Sequence, residues 1–219
     1  MSDSEHMDLR PIRQDYEGTP LRKADCAESP FTQFQMWWNE AKEAGEAEPN
    51  AMTLATADAN GQPHARVVLL KALEEQRFIF FTNYNSDKGQ EIAQNPLASL
   101  SFYFFKQFRQ IRIEGRLEKI SAIDSDTYFN SRPVESQIGA MLSPQSHIIP
   151  NRAFIEQGLL ELKQKIAEGT ISLQRPAHWG GYALTAHTIE FWQGQPSRLH
   201  DRIQYKRIEN NWVKQRLAP

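Results

Sequence analysis

Residues 189–202 read IEFWQGQPSRLHDR and decide how the last part of the chain folds. Apolar and polar residues alternate on both sides of a polar turn with a glycine and a proline, which predicts two short strands joined by a tight turn. On the second predicted strand, Arg198, His200 and Arg202 lie two residues apart, so the spacing places their side chains on one face. Two guanidinium groups beside an imidazole can bind an anion and handle a proton. A solvated polar face on a half-buried strand explains the same spacing, and more commonly.

The composition is that of one compact globular domain. The chain has 219 residues, 40% of them hydrophobic and 11% aromatic, which is enough for a core without disulfide bonds. A net charge of −2 argues against a nucleic-acid-binding protein, although the last 22 residues carry six Lys or Arg against two Asp or Glu. With a single cysteine, Cys26, and an acidic N-terminus, we expect neither a disulfide scaffold nor a usual signal peptide. The apolar runs are too short to span a membrane, so we expect a cytoplasmic protein.

The sequence predicts an α+β protein that is mainly antiparallel β, with flanking helices. Residues 1–28 have little periodic apolar content and predict a flexible arm, and residues 29–219 predict a single domain. Period-two patterns predict strands at 51–57, 63–71, 77–83, 97–105, 109–120, 181–185, 188–193, 198–207 and 212–217. Capping residues and helical spacing predict helices at about 30–44, after Ser86, and at about 121–130, 133–141 and 151–168. The last three predict a helical subdomain at about 121–169, and the many short strands predict a closed or partly open barrel.

Motifs of several enzyme classes are absent from the sequence. There is no G-x-G-x-x-G, no P-loop and no G-x-S-x-G, and the six histidines show no H-E-x-x-H spacing. A Rossmann site, a P-loop, a hydrolase nucleophile and a zinc or iron site are therefore not predicted. What remains is a set of anion-binding side chains near aromatic ones.

Those anion-binding side chains fall into groups. Arg66 and Lys71 bracket an apolar run, and Thr82, Ser86 and Lys88 follow the next strand. Lys88 falls in the first turn of a predicted helix, whose free N–H groups also favour phosphate. Taken singly, each group is better explained by exposed surface charge.

A third group lies at a break between two predicted helices. Tyr128, Arg132 and Ser136 are spaced by four residues, but Pro133 makes the set a helix end, a corner and a helix start. A phenol, a guanidinium and a hydroxyl at such a corner suit a phosphate, and an ordinary polar surface explains the spacing about as well.

Several longer motifs carry a family resemblance. They are RVVLLK at 66–71, FTN at 81–83, YFNSRP at 128–133, SQIGA at 136–140, QS at 145–146, EFWQ at 190–193, RLHDR at 198–202 and RLAP at 216–219. In order and spacing, from about residue 13 to the end of the chain, they resemble the pyridoxine (pyridoxamine) 5'-phosphate oxidases.

The resemblance implies a Greek-key split β-barrel that binds FMN as a homodimer, with two sites at the subunit interface. It implies FMN-dependent oxidation of pyridoxamine 5'-phosphate and pyridoxine 5'-phosphate to pyridoxal 5'-phosphate, with hydride transfer from C4' to flavin N5 and reoxidation by O2 to H2O2. Three alternatives remain: a non-catalytic carrier of flavin or pyridoxal 5'-phosphate, a relative that oxidises a phosphate-free ring, and a binder of single-stranded nucleic acid. The last rests on the aromatic and basic residues at 102–109.

The resemblance also implies a role for each motif residue. Those that would bind FMN are Arg66, Val67, Val68, Leu69, Leu70, Lys71, Phe81, Thr82, Lys88, Gln110, Gln145, Ser146, Trp192 and Arg202. Lys71, Tyr128, Arg132 and Ser136 would clamp the substrate phosphate. Arg198 and His200 would be the catalytic residues and, with Leu199, would hold the pyridine ring.

Two positions depart from the family pattern. Asp87 stands where the family often has Arg, which removes a phosphate contact worth roughly 1.5–3 kcal/mol. We therefore expect weaker FMN binding, with Asp87 turned to solvent or capping its helix. Phe81 replaces a commoner Tyr, and this matters less if the site uses main-chain groups there.

Overall fold

The computed structural model describes residues 7, 9, 10, 12 and 15–219. The described residues form five α-helices: α1 Pro30–Glu43, α2 Asp87–Gln94, α3 Ala122–Ser131, α4 Val134–Leu142 and α5 Arg152–Ala167. They also form nine strands: β1 Ala51–Ala57, β2 Pro63–Leu69, β3 Ala72–Glu74, β4 Arg77–Asn83, β5 Leu97–Phe104, β6 Arg109–Lys119, β7 Trp179–Gln193, β8 Asp201–Ile208 and β9 Asn211–Leu217. The α+β class with flanking helices is confirmed. Of the predicted arm, residues 1–6, 8, 11, 13 and 14 lie outside the described residues.

Side-chain caps set the starts of four of these helices. Ser29, Ser86, Ser121 and Asn151 each accept a hydrogen bond from a backbone N–H two or three residues ahead, at 3.0–3.4 Å. Such caps satisfy N–H groups that have no partner inside the helix. Helix α4 begins after Pro133 instead.

The chain divides into two compact units. The middle unit comprises Ala47–Phe102 and Arg112–Ile189. The terminal unit comprises the described residues up to Glu46, together with Tyr103–Ile111 and Glu190–Pro219. The prediction of one domain with a helical subdomain at about 121–169 stays a prediction.

The middle unit is built on antiparallel strands in the order β2-β1-β5-β6-β7-β4-β3. Strands β1 and β2 pair along their whole length around a turn in which Asp58 Oδ1 accepts from the N–H groups of Asn60 and Gln62. The core side chains Leu54, Phe78 and Leu184 are fully buried. The apolar residues that alternate along the strands thus face one interior.

The terminal unit pairs β8 with β7 and with β9 and packs α1 by its aromatic face. Trp37 of α1 meets Phe191 edge to face at 5.2 Å between ring centroids, and Phe191 meets Tyr205 at 5.6 Å. Each such pair adds about 0.5–1.5 kcal/mol beyond the area it buries.

Two strand predictions were wrong. The residues predicted as separate strands at 181–185 and 188–193 form the single strand β7, because the residues between them continue in extended geometry. The strand predicted from Arg198 begins at Asp201, because Pro196–Arg198 form a 3₁₀ turn in which Ser197 and Arg198 have φ of 57° and 62°. Arg198, His200 and Arg202 therefore do not lie on one strand face. The three-residue strand β3 was missed.

Among the described residues, none of the helices combines the length and the apolar character needed to cross a lipid bilayer.

Candidate active site

A cavity of about 650 Å³ lies in the middle unit and is called the first cavity here. Its lining residues come from β2, β4, β7, α2, the corner between α3 and α4, and the loops that hold Lys71 and Gln145. They are Arg66, Val67, Val68, Leu69, Lys71, Phe81, Thr82, Asn83, Lys88, Tyr128, Arg132, Pro133, Ser136, Gln145 and Trp179. All four residues expected to clamp a substrate phosphate line it, and so do most of those expected to hold FMN. Of the middle-unit residues in those sets, Leu70 and Ser146 are not in its lining.

The first cavity is strongly basic. Among the described residues that line it, four are cations, namely Arg66, Lys71, Lys88 and Arg132, and none is a carboxylate. Like charges gathered away from bulk water repel one another until an anion neutralises them. The chemistry of this lining therefore suits one or more phosphate groups.

Arg132 has a buried donor that a ligand could pair with. It occupies the end of α3 in extended geometry, and its guanidinium carbon lies 4.5 Å from the centre of the Trp179 ring. Its Nη1 is buried and has no hydrogen-bond partner within the described part of the chain. Burial lowers the pKa of Arg132, although Tyr128 raises it, and a guanidinium stays protonated in proteins. A buried, unpartnered N–H of this kind points to an acceptor supplied by a ligand.

Three nearly parallel rings form the wall beside Arg132. Tyr128 stacks on Phe81 at 3.8 Å between centroids, and Trp179 stacks on Phe81 at 5.6 Å. Tyr128 and Trp179 are tilted by only 6° to each other. The wall holds the Tyr128 phenol in the cavity, where it can donate to an anion.

Lys88 and Arg66 face each other from α2 and β2. Lys88 is buried, and its Nζ lies 3.3 Å from Ser86 Oγ and 3.4 Å from Gln145 Oε1. Burial lowers the pKa of Lys88, and the positive charge of Arg66 lowers it further. Thr82 also donates to Gln145, at 3.4 Å, which brings a third expected FMN ligand to this end.

A second cavity, of about 570 Å³, shares Arg66 and Lys88 with the first. Its lining also includes Ser146, an expected FMN ligand with φ of 71°, as well as His64 and three acids, Asp58, Asp87 and Glu91. Asp87 is exposed, and Ser86 makes the capping hydrogen bond of α2. The expectation that Asp87 turns to solvent is confirmed.

Leu70 is buried in the core, and its backbone N–H donates to Asn50 O at 2.8 Å. Its place in the expected FMN set rests on the family resemblance alone.

The terminal unit carries the other expected site residues. His200 packs on Trp192 at 4.6 Å and on Tyr16 at 5.4 Å between ring centroids. The Arg198 guanidinium lies 5.9 Å from the Tyr16 ring, and both Arg198 and Leu199 are exposed. Gln110 lies on β6.

The hydrogen bond made by His200 restricts its chemistry. The Gln195 backbone N–H donates to His200 Nδ1 at 3.1 Å, so Nδ1 acts as an acceptor and the neutral ring carries its proton on Nε2. Burial lowers the pKa of His200 and the charge of Arg198 lowers it further, which favours this neutral form. His200 is therefore arranged to donate through Nε2.

Arg202 is held by a bidentate pair. Its Nε and Nη2 donate to the buried Glu190 carboxylate at 2.7 and 3.2 Å, and its Nη1 donates to Ala218 O at 2.9 Å. The hydrogen bond that Arg202 donates to Glu190 raises the pKa of Arg202. This guanidinium can still offer its remaining N–H groups to a ligand.

Sequence reasoning missed four residues around these sites. Trp179 and Asn83 line the first cavity, Glu91 binds Arg66 behind it, and Tyr16 packs on His200. Glu91 and Lys88 are three residues apart on one helix, which was the only available signal for Glu91.

The residues offered for nucleic-acid binding are mostly engaged within the protein. Phe102 and Phe104 are buried, so they offer no stacking surface. Lys106 donates to Ala44 O and Gly45 O, and Arg109 binds Glu40 and Gln193. Tyr103 and Phe105 are exposed, but Lys106 and Arg109 are already engaged, and a single-strand binding surface needs free cations as well as exposed rings.

Two family models match the chain. Residues 39–165 match the pyridoxamine 5'-phosphate oxidase model, and residues 179–219 match the model of the pyridoxine 5'-phosphate oxidase C-terminal dimerisation region. The second match covers β7 to the C-terminus and includes the stretch at 189–202.

Curated relatives match over nearly the whole chain. A pyridoxine/pyridoxamine 5'-phosphate oxidase from Ralstonia pickettii is 50% identical over 212 residues, which is 96% of this chain and 99% of the relative. One of the same name from Pseudomonas paraeruginosa is 47% identical over 213 residues, covering 96% of this chain and 98% of the relative.

Solved structures share the split-barrel fold. PhzG from Burkholderia lata, in complex with tetrahydrophenazine-1-carboxylic acid, aligns with a TM-score of 0.85 at 30% identity, covering 92% of this chain and 99% of that one. A pyridoxamine 5'-phosphate oxidase-related, FMN-binding protein from Nostoc punctiforme aligns with a TM-score of 0.69 at 18% identity, covering 88% of this chain and 100% of that one, and supports the fold alone.

Proposed function

The chain belongs to the pyridoxamine 5'-phosphate oxidase family, and we propose that it oxidises pyridoxamine 5'-phosphate and pyridoxine 5'-phosphate to pyridoxal 5'-phosphate. Its cofactor is FMN, the flavin of this family, and we propose O2 as the electron acceptor, which is reduced to H2O2, and a homodimer as the working form. With pyridoxamine 5'-phosphate, water hydrolyses the oxidised imine, so ammonia is released as well as the aldehyde. The observation that carries the proposal is the buried Nη1 of Arg132, which has no partner in the described part of the chain and lies in a cavity lined by four cations.

The residues present fit FMN and a phosphorylated substrate. Both molecules bring phosphate groups, and the first cavity offers cations at two ends: Arg66 and Lys88 near β2 and α2, Lys71 and Arg132 near the corner of α3 and α4. Between them the β2 residues Val67, Val68 and Leu69 give an apolar edge along which a flat ring system can lie. When bound, FMN supplies the hydride acceptor that protein side chains lack and passes the electrons to O2.

The chain's own residues bind the substrate and orient it. We infer that Arg132, Lys71, Tyr128 and Ser136 hold the substrate phosphate, because all four line one cavity and all four can donate hydrogen bonds. When its phosphate is bound in this way, the substrate keeps its reacting carbon in a near-attack position. This lowers the entropic part of the activation barrier for the oxidation.

Arg198 and His200 are proposed to act on the substrate ring. His200 donates from Nε2, because its Nδ1 is occupied by the Gln195 N–H. It is therefore an orienting group, and the proton released from the hydroxyl or amino group on the reacting carbon leaves by another route. The exposed Arg198 adds a positive charge at the ring.

One experiment tests the proposal. The protein is purified and reconstituted with FMN, pyridoxine 5'-phosphate or pyridoxamine 5'-phosphate is added, and the aldehyde and H2O2 are measured together. We expect one H2O2 for each pyridoxal 5'-phosphate, with both substrates. A protein that binds no FMN would overturn the proposal, and bound FMN without turnover would favour the carrier.

A phosphate-free substrate is the second candidate, because PhzG, at 30% identity, was solved with a carboxylated tricyclic ligand. Pyridoxine, which lacks the phosphate, distinguishes a phosphorylated from a phosphate-free substrate. With the clamp at Arg132 we expect it to be oxidised far less efficiently than the phosphate ester. Equal efficiency would favour a phosphate-free substrate.

A further inference from the structure

The carboxylate of Glu91 lies at the centre of a network behind the first cavity. Glu91 is buried on α2, and its Oε2 accepts from Arg66 Nη2 at 3.0 Å and from the Thr56 hydroxyl. Its Oε1 lies 2.8 Å from His64 Nδ1. The four side chains come from three elements, β1, β2 and α2, so the network depends on how these elements pack.

Arg66 is fixed by this network before any ligand arrives. Its Nη1 donates to Thr56 Oγ1, and it also donates at 3.3 Å to the backbone carbonyls of Leu54 and His64. Leu54 pairs with Arg66, and Thr56 with His64, in the β1–β2 ladder, so the strand register itself presents these acceptors. A guanidinium held in this way loses little further freedom when it binds an anion.

The network also affects Lys88, which lies one helical turn before Glu91. Burial and then Arg66 lower the pKa of Lys88, whereas Asp87 and then the Glu91 carboxylate raise it and so oppose the loss of the ammonium charge. Glu91 lines only the second cavity, while Arg66 and Lys88 line both. The acid therefore stands on the far side of the two cations from the first cavity.

We propose that Glu91 is a positioning residue for the cofactor phosphate: its carboxylate fixes the guanidinium of Arg66 and offsets the repulsion between Arg66 and Lys88. The inference rests on the proposed use of Arg66 and Lys88 as FMN phosphate ligands. Two effects of the acid oppose each other, since a carboxylate near a phosphate also repels it. Orientation prevails because the Glu91 carboxylate is already paired with the Arg66 guanidinium and accepts from the Thr56 hydroxyl.

The test is a double-mutant comparison of FMN affinity, measured by the loss of flavin fluorescence when FMN binds the apoprotein. Glu91→Gln keeps the shape of the side chain and removes its charge, and we expect the dissociation constant of FMN to rise about tenfold, as for one lost charge-assisted hydrogen bond. In an Arg66→Ala background the same Glu91→Gln change is expected to leave the constant unchanged or to lower it. Glu114→Gln, which removes an exposed partner of Arg112, is the matched control and should have no effect.

Each outcome decides a specific point. A tenfold loss in both backgrounds would show that Glu91 acts through the general fold and not through Arg66, which overturns the inference. An unchanged constant for Glu91→Gln in the wild-type background also overturns it, while FMN binding and oxidation by the wild type leave the proposed function intact. A wild type that binds no FMN refutes both.

Two further measurements serve as controls for the FMN affinities. The KM for the phosphorylated substrate at saturating FMN should stay the same in Glu91→Gln, because the effect is confined to the cofactor. If Glu91→Gln does not fold, Thr56→Val replaces it: this change suits a strand and removes the hydroxyl that joins Glu91 to Arg66. Its expected loss of FMN affinity is several-fold and should likewise vanish with Arg66→Ala.

Discussion

Arg132 shows how one residue acquires its role from several contacts. Its backbone is extended because Pro133 follows, and its guanidinium packs on Trp179. Its Nη1 has no acceptor among the residues that the structure describes. Packing on the ring fixes the direction in which the guanidinium points, so its free donor is aimed before a ligand binds. This arrangement favours planar recognition of a phosphate.

Substituting Arg132 should therefore weaken substrate binding. We expect Arg132→Ala to raise the KM for pyridoxine 5'-phosphate by at least about tenfold, because one charge-assisted hydrogen bond of roughly 1.5–3 kcal/mol is lost. Steady-state kinetics at saturating FMN measure the change, and Arg152→Ala, on the exposed face of α5, is the control. A KM that stays within twofold of the wild type would remove Arg132 from the phosphate clamp.

Lys88 should make FMN binding depend on pH. Because burial and Arg66 lower its pKa below the ordinary 10.5, the ammonium loses its proton, and with it its attraction for phosphate, at a lower pH than an exposed lysine. FMN affinity should therefore fall as the pH rises toward that lowered pKa. Fluorescence titrations from about pH 7 up to the ordinary lysine pKa of 10.5 follow the fall, and Lys88→Arg should abolish it, because arginine keeps its charge throughout this range. An identical fall in Lys88→Arg would assign the titration to another group.

His200 should orient the substrate and should not act as the base that accepts its proton. Burial and Arg198 keep its pKa below 6.5, so the ring is neutral above that pH and Nδ1 is occupied by the Gln195 N–H. We expect His200→Asn to lower kcat/KM about fivefold, the effect of one neutral hydrogen bond, without changing the shape of the pH profile between about pH 6.5 and 9. The sign that His200 accepts the proton would be a limb of the wild-type profile that disappears in the variant.

Arg198→Ala should lower kcat as well as raising KM, because this residue is proposed to act at the reacting end of the substrate. The same kinetic assay measures both constants. A kcat equal to that of the wild type would show that Arg198 only binds.

At the scale of secondary structure, the start of α2 contributes both to the stability of the fold and to the proposed binding of FMN. Its capping residue Ser86 is fully buried, donates to Asn83 O at 2.6 Å and lies 3.3 Å from Lys88 Nζ. One hydroxyl thus begins the helix and helps to place a cation of the first cavity.

Removing that hydroxyl should affect both properties. We expect Ser86→Ala to lower the free energy of unfolding by about 1–2 kcal/mol and to weaken FMN binding several-fold. Ser121→Ala removes the cap of α3 in the same way, but its hydroxyl contacts Asp124 and no cavity cation, so it should lower stability alone. Thermal unfolding and FMN titration of the two variants measure the difference. Equal FMN affinity in both would confine Ser86 to a structural role.

Sequence patterns predicted those helices and corners that are determined by neighbouring residues, such as capping residues and prolines. The Ser86 cap predicted α2 with Lys88 in its first turn, and Pro133 predicted the corner that carries Arg132. Long-range pairing determines the rest: Trp179 lies opposite Asn83 in the β4–β7 ladder, and only this register brings it to Arg132. The start of β8 was placed too early because Ser197 and Arg198 adopt left-handed backbone geometry, which their side chains do not signal.

At the scale of the whole molecule, the expected site residues divide between the two units of the chain. The phosphate clamp belongs to the middle unit, and Arg198 and His200 belong to the terminal unit, within the region that matches a dimerisation model. In a symmetric dimer with two equivalent sites, a site can take both sets from one subunit or one set from each. Mixing two impaired variants distinguishes these arrangements.

Arg132→Ala and Arg198→Ala are mixed in equal amounts, unfolded and refolded together with FMN, and assayed at a low concentration of pyridoxine 5'-phosphate. If each site takes its clamp from one subunit and Arg198 from the other, every mixed dimer has one site with both arginines intact. Since random pairing makes half of the dimers mixed, about one quarter of wild-type activity should return. Refolding each variant alone is the control and should give only its residual activity. A mixture no more active than the average of the two controls would mean that each site is built within a single subunit.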